Sequence, residues 1–272
     1  MKLPKSVYYY WIHHMDDSTT KDQWLVDKIK EIVTTHKGRY GYRRIQALLK
    51  SSEGIIVNHK RLLRLMRAHN LLCQKFKNKS RRRYNSYKGQ IGTVAPNVVN
   101  RNFQSKGFNQ LWVTDVTEFS LPIQGKKLYL STIMDCYNSE IIAYKMSDSP
   151  NLDIAIKPLS EALNEHRDHL DELVIHSDQG FHYQHRQWKT IVEGVGATMS
   201  MSRKGNCLDN SPMENFFGIL KQEMFYGESF KSYKALEIAI HEYIHYYNKQ
   251  RIKLKLKGMS PKQFRKHTLK SA

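Results

Sequence analysis

The sequence predicts an α/β protein: a mixed five-stranded sheet with helices on its faces, preceded by a small helical domain. Three observations carry this. Apolar residues repeat at helical spacing between residues 21 and 69. From residue 111 to 225 the segments read βββαβαβα. The net charge changes sign between those two stretches.

From Lys21 to His36, Leu25, Ile29, Ile32 and Val33 fall at helical spacing. Gly38-Arg39-Tyr40-Gly41 ends that helix. Tyr42 to Lys50 reads as a second helix, with Ile45, Leu48 and Leu49 inward. Asn58 is placed to cap a third, running to about His69, with Leu62, Leu63 and Met66 inward and Lys60, Arg61, Arg64 and Arg67 outward. Three short helices with a basic third one resemble a helix-turn-helix unit. The alternative is a small bundle with a solvated basic face. Residues 1–72 are therefore expected to form a helical DNA-binding domain. Residues 73–106, with Arg81-Arg82-Arg83 and scattered Gly, Pro and Asn, read as a basic linker able to follow a phosphate backbone.

After residue 110 the pattern changes. Leu111 to Phe119, Lys127 to Asp135 and Glu140 to Lys145 are strand candidates, the first two joined by a turn at Pro122 to Gly125. Leu152 to His166 is helical, Leu173 to His176 a short buried strand, Tyr183 to Glu193 helical, Thr198 to Ser202 a strand, and Ser211 to Phe225 helical. Residues 107–225 thus form the core. Residues 226–272 form a basic helical extension whose aromatic-rich helix runs from about Tyr233 to Asn248.

The formal net charge is +19, from 44 Lys+Arg against 25 Asp+Glu. Residues 1–110 carry +17, residues 111–202 carry −6 and residues 203–272 carry +8. Such a division suggests a catalytic middle held on nucleic acid by basic flanks. It excludes an acidic, disordered protein. No run of about 18 apolar residues marks a membrane span, and the N-terminus is a poor signal peptide. Cys73, Cys136 and Cys207 make neither a disulfide framework nor a paired metal motif, so a reducing cytoplasm is expected.

Three acids stand where chemistry would want them. Asp115 lies mid-strand, Asp178 closes a strand at its carboxyl end, and Glu214 begins a helix. An acid in an apolar strand is costly unless it is paired or bound to a metal. Hard oxygen ligands suit Mg²⁺ or Mn²⁺, and two such ions can drive phosphodiester chemistry. Each acid also has an ordinary reading: Asp115 as a hydrogen-bonded strand acid, Asp178 as a turn residue, and Glu214 as the partner of Ser211 in a capping box with Pro212 at its start. Residue types and spacing leave both readings open.

The motifs around these acids resemble the transposases of the IS-three insertion-sequence family, within the retroviral-integrase superfamily. The likeness rests on Trp112-Val113-Thr114-Asp115-Val116-Thr117-Glu118-Phe119, on His176-Ser177-Asp178-Gln179-Gly180, and on Ser200 to Asn210 followed by Met213-Glu214-Asn215-Phe216-Phe217. Thirty-five residues separate Asp178 from Glu214, as in the superfamily's DD(35)E pattern, and Lys221 follows Glu214 by seven. Arg39 to Ile45, Tyr246-Tyr247-Asn248, Arg251-Ile252-Lys253 and Gly258 to Pro261 also match, so the likeness runs almost end to end.

The resemblance implies an RNase H-like integrase catalytic core. It implies that Asp115, Asp178 and Glu214 are catalytic and hold two Mg²⁺ or Mn²⁺ ions. Water would free a 3′-hydroxyl at the element's end, and that hydroxyl would attack another strand. The DNA partners would be the terminal inverted repeats and the target, met as a homo-oligomer in the nucleoid of a bacterial cytoplasm. Lys221 is the expected DNA contact beside the acids. Arg203, Lys204, Arg43, Arg44, Lys60, Arg61, Arg64, Arg81, Arg82 and Arg83 are further candidates. Members are often made by a frameshift that adds an upstream frame with a leucine zipper. No heptads precede residue 20, so an upstream-frame protein or fusion is an expected partner. The competing functions are a non-catalytic DNA-binding regulator and a nuclease of the same fold that never joins strands.

Two signals are set aside. His241-Glu242-Tyr243-Ile244-His245 matches the zinc-peptidase pattern, but no acid follows Glu242 and His267 is the one later histidine. His13 and His14 lack the paired cysteines of a zinc module. Asp135, on a core strand, is expected to be structural or to support the metal-binding acids from behind.

Overall fold

Helix α1 (Gln23–Thr35) forms where Leu25, Ile29 and Ile32 recur on one face, and all three are buried. Helix α2 (Tyr42–Glu53) buries Ile45 and Leu49 and ends at Gly54, whose φ of 68° lets the Ile55 N–H reach back to the Leu49 carbonyl. Helix α3 (His59–Ala68) starts where the Asn58 side chain accepts from the Lys60 N–H at 2.8 Å, as its position suggested. Asn58→Ala should cost about 1 kcal/mol, read as lower thermal stability of this helical unit. Leu62, Leu65 and Met66 close the unit's core. The computed structural model describes residues 4–10, 12, 21–76, 94–121, 125–167, 170, 172–203 and 206–271. The linker arginines Arg81 to Arg83, the expected turn at 122–124 and the pair His13-His14 lie outside the described residues.

Contacts divide the chain into two units, Met1–Asn78 with Lys253–Gly258, and Lys79–Ile252 with Met259–Ala272. The second is built on β1 (Leu111–Leu121), β2 (Lys126–Asp135), β3 (Glu140–Ser147), β4 (Val174–Ser177) and β5 (Thr198–Met201). Leu111 to Thr114 are buried one after another. Neighbouring strand residues point to opposite faces, so only a strand covered on both sides buries such a run. Accordingly β1 is the middle strand of the order β3-β2-β1-β4-β5. Its pairing is antiparallel with β2 and parallel with β4.

Helices α4 (Asp153–Glu165), α5 (Phe181–Gln184) and α6 (Arg186–Gly194) cover one face. Trp112, Ile175, Leu159, Tyr183 and Trp188 pack there. Helices α7 (Ser211–Leu220) and α8 (Tyr233–Lys249) cover the other, burying Val113, Phe119, Phe216, Leu220 and Tyr247. A last helix, α9 (Pro261–Ser271), is bound to the β2–β3 corner by Arg265, which donates to Asp135 and Glu140. Asp135 is fully buried and also accepts the Asn109 and Tyr137 N–H groups, which is a structural role.

Three local departures have physical causes. The helix expected from Tyr183 to Glu193 is two helices, because His185 turns extended and its Nδ1 caps α6 through the Gln187 N–H. Ser211 lies inside α7, behind a 3-10 turn at Cys207–Asn210, so the N-cap is Asn210 and the capping box does not form. The segment expected to end as α-helix at Phe225 widens into a π turn over Lys221–Phe225.

Candidate active site

β1 and β4 run parallel with Val113 opposite His176. Two residues further along stand Asp115, within β1, and Asp178, the first residue beyond the end of β4. The parallel register brings them near enough for the Asp178 charge to act on Asp115. Thr114, between Val113 and Asp115, points the other way and meets the Tyr183 hydroxyl at 3.4 Å. Asp115 shares its face with Val113 and Phe119, the face that α7 covers and where Glu214 begins the helix.

The two aspartates are oriented by nearby backbone N–H groups. The Asp115 Oδ1 accepts the Val116 N–H at 2.7 Å. The Asp178 Oδ1 accepts the Gly180 N–H at 2.8 Å. A Cβ on residue 180 would sit 2.9 Å from that same oxygen, so any larger residue would displace the Asp178 carboxylate, although the φ here is ordinary. Glu214 is placed by Asn210, whose Nδ2 donates to the Thr114 carbonyl at 3.1 Å and ties the start of α7 to β1.

That tie rests on Asp209, which lies in the Ser200 to Asn210 motif but received no role from the sequence. Asp209 is fully buried. Its carboxylate accepts from the Arg203 N–H, Nε and Nη2, from Arg101 Nε and from Asn97 Nδ2. Arg203 above all, against the push of burial and with help from Arg101, holds this carboxyl well below the usual carboxylate range. The Asp209 carbonyl lies 2.7 Å from Nε2 of His176, whose Nδ1 lies 2.8 Å from the Ser200 hydroxyl. Burial keeps His176 below its ordinary pKa, so the neutral ring donates from Nε2 and accepts from Ser200.

Electrostatics set Asp115 apart. Burial first, then the charge of Asp178, with Glu214 adding to it, push its carboxyl well up; the Val116 N–H and Lys221 oppose this. Burial also raises Asp178, against its bond from Gly180. The three acids thus feel one another, and a divalent cation between them would offset that repulsion. Oxygen donors of this type fit Mg²⁺ or Mn²⁺. Among the described residues no three His, Cys, Asp or Glu side chains already close around a common point. Glu214 is the exposed member of the three.

The expected DNA contacts fall in different places. Lys221 donates to Thr117 Oγ1 at 2.7 Å, two residues from Asp115. Arg203 pairs with Asp209 while its side chain stays about half exposed. Arg61 and Arg64 both pair with Asp22, and against burial they hold that carboxyl down. Arg43 and Lys60 are exposed on the helical unit, where Arg43 lines a cleft of about 630 Å³ with Tyr42, Lys50 and His59. Arg44 lies 5.5 Å from the Tyr40 ring. Lys204, Arg81, Arg82 and Arg83 lie outside the described residues. His241, of the zinc-peptidase-like motif, meets the Tyr144 hydroxyl at 2.7 Å. No helix among the described residues is long and apolar enough to cross a membrane.

Fold and site define a protein of the integrase-core class. Residues 106–207 and 214–269 match two families described as integrase core domain, and residues 20–84 match a family described as HTH-like domain. The putative transposase InsK for insertion sequence element IS150 of Escherichia coli K12 is 42% identical over 98% of this chain and 91% of its own length. An uncharacterized transposase-like protein of Haemophilus influenzae is 45% identical over 81% of this chain and 98% of its own. The HTLV-2 integrase catalytic core domain, solved in complex with magnesium, is similar with a TM-score of 0.43 and 15% identity, over 64% of this chain and 99% of that one. The chain belongs to the insertion-sequence transposases of the IS-three type.

Proposed function

We propose that the chain cleaves DNA at the ends of its insertion sequence and joins the freed ends to a new strand. The observation that carries this is that Asp115 on β1 feels the charges of Asp178, just beyond the adjacent parallel strand β4, and of Glu214 in the first turn of α7. Asp115, Asp178 and Glu214 would hold two Mg²⁺ or Mn²⁺ ions, which when bound activate an attacking oxygen and stabilise the leaving one. In the first reaction a water oxygen bonds to phosphorus, the P–O3′ bond breaks, and a 3′-hydroxyl is released. In the second that hydroxyl bonds to phosphorus of another strand and displaces its 3′-oxygen. The paired strands keep the two aspartates from spreading as the phosphate's charge shifts. Lys221 holds a DNA phosphate beside them.

Residues 1–72 grip the element's terminal repeats, the basic linker 73–106 and the extension 226–272 follow the backbone, and residues 107–225 carry the chemistry. Two ends must be handled together, so the working form is a homo-oligomer on DNA, with an upstream-frame protein or fusion as a further partner. Its place is the bacterial cytoplasm, on the nucleoid.

The test is strand cleavage and joining on labelled DNA carrying the element's ends, in Mg²⁺ or Mn²⁺, beside Glu214→Gln and a chelated control. Joined product from the native chain alone is expected. Cleaved but never joined DNA would identify a nuclease. Salt-sensitive binding without product, even with the upstream frame supplied, would identify a binding-only regulator.

A further inference from the structure

The helix bearing Glu214 does not end at Leu220. It widens into the π turn Lys221–Phe225, closed by the Tyr226 N–H donating to the Lys221 carbonyl at 2.7 Å. Such turns are rare and are frequently found at functional sites. Two sets of contacts hold this one. Toward β1, Lys221 bonds Thr117 and lies 5.1 Å from the centre of the Phe119 ring, and Phe225 packs edge-on against that same ring. Toward α8, Glu223 is buried and accepts Arg251 Nε at 2.8 Å, Arg251 Nη2 at 2.6 Å and the Tyr243 hydroxyl at 2.9 Å. The Arg251 side chain is 1% exposed.

A buried ion pair is a weak stabiliser, because desolvation consumes most of its attraction; its better-attested use is to fix register. Here the register matters. Residues 221 and 223 are about 200° apart around a helix, so they face opposite sides. Anchoring Glu223 under α8 therefore directs Lys221 at β1. A one-residue slip back to α-helical winding would rotate the later residues of the turn by about 100° and break one anchor or the other.

We infer that Glu223 and Arg251 are positioning residues: their buried pair locks the π turn in the register that keeps Lys221 over Thr117, beside Asp115, where a DNA phosphate is held. The inference rests on the proposed role of Lys221 as a phosphate contact. Tyr243 joins the pair from α8 by donating to Glu223 Oε2.

The experiment measures affinity of the full chain for a fluorescently labelled duplex of fixed sequence across a series of salt concentrations. Lys221→Ala, Glu223→Gln and the double variant stand beside the native chain, with a melting curve for each. Lys221→Ala should lower the slope of log affinity against log salt by about 1. Glu223→Gln should lower it by the same amount, and the double variant no further. A merely structural role would reduce the folded fraction without changing the slope. Arg251→Lys keeps the buried charge but loses the two-pronged geometry, and it gives the same readout if Glu223→Gln fails to fold. A folded Glu223→Gln or Arg251→Lys with the native slope overturns the inference, as does a double variant that loses twice as much. An unchanged slope in Lys221→Ala would instead remove the phosphate role of Lys221, and the inference with it.

Discussion

Asp115→Asn is expected to lower strand cleavage and joining by about a hundred- to a thousandfold, the scale seen when one electrostatic stabiliser of a transition state is lost. The metal-free protein should meanwhile be as stable as the native chain, or more so. The reason is the position of Asp115. Burial and the charges of Asp178 and Glu214 all oppose its ionisation. Asparagine has the same shape, keeps an oxygen for the Val116 N–H, and carries no charge. The sign can be followed with pH. A carboxyl raised above its ordinary 3.8 supports the fold while protonated, below that value, and this support is lost as pH rises through the higher folded value. In the metal-free native chain stability should therefore fall along that rise, and in Asp115→Asn this fall should be absent. Adding Mg²⁺ should raise the melting temperature of the native chain more than that of the variant. Joined product from Asp115→Asn, or a variant that melts well below the native chain without metal, would refute the assignment.

Much of this arrangement could be read from the residues. Leu25, Ile29 and Ile32 mark α1 by spacing, and Asn58 marks the start of α3. The β-rich run at Leu111 to Phe119 marks the central strand. Asp115, Asp178 and Glu214 stood out through their setting and their family resemblance, although spacing alone left them balanced against turn and cap readings. The cap reading of Glu214 weakens once Ser211 is found inside the helix. Other features had no local signal. Nothing near Glu223 announces a partner 28 residues away, and a π turn has the composition of an α-helix. Helix α9 has few apolar residues, since an ion pair from Arg265 does much of its docking. Arg203 carries the charge of a DNA contact, and nothing local shows that it also pairs with Asp209. Charge patterns reveal which side chains are cationic; which anion each one meets is decided by the fold.

Asp209→Ala is expected to be the most destabilising single change near the site, by about 1–3 kcal/mol, the usual result of removing a buried acceptor from its donors, because the half-exposed guanidiniums of Arg203 and Arg101 can turn to water. In a unit of this size that is a fall in melting temperature of roughly 5 °C. Alanine would leave the guanidiniums of Arg203 and Arg101 and the amide of Asn97 without the acceptor they share. Asparagine would also fail, because its amide nitrogen would face donors. The pH behaviour is opposite to that of Asp115. A carboxyl held below its ordinary value contributes stability that is present above that value and lost as pH falls toward the lower folded one. The contribution of Asp209 should thus persist through mildly acidic solution and vanish only well below pH 4. Activity should suffer too, at temperatures where the variant remains folded. Asp209 is followed by Asn210, which binds the Thr114 carbonyl next to Asp115, and Glu214 is one helical turn further on. Releasing the turn at Cys207–Asn210 loosens the third acid relative to the first two. Melting curves and cleavage assays on the same preparation separate the two effects. An Asp209→Ala protein that melts with the native chain would show that the buried cluster is not what holds the catalytic helix in place.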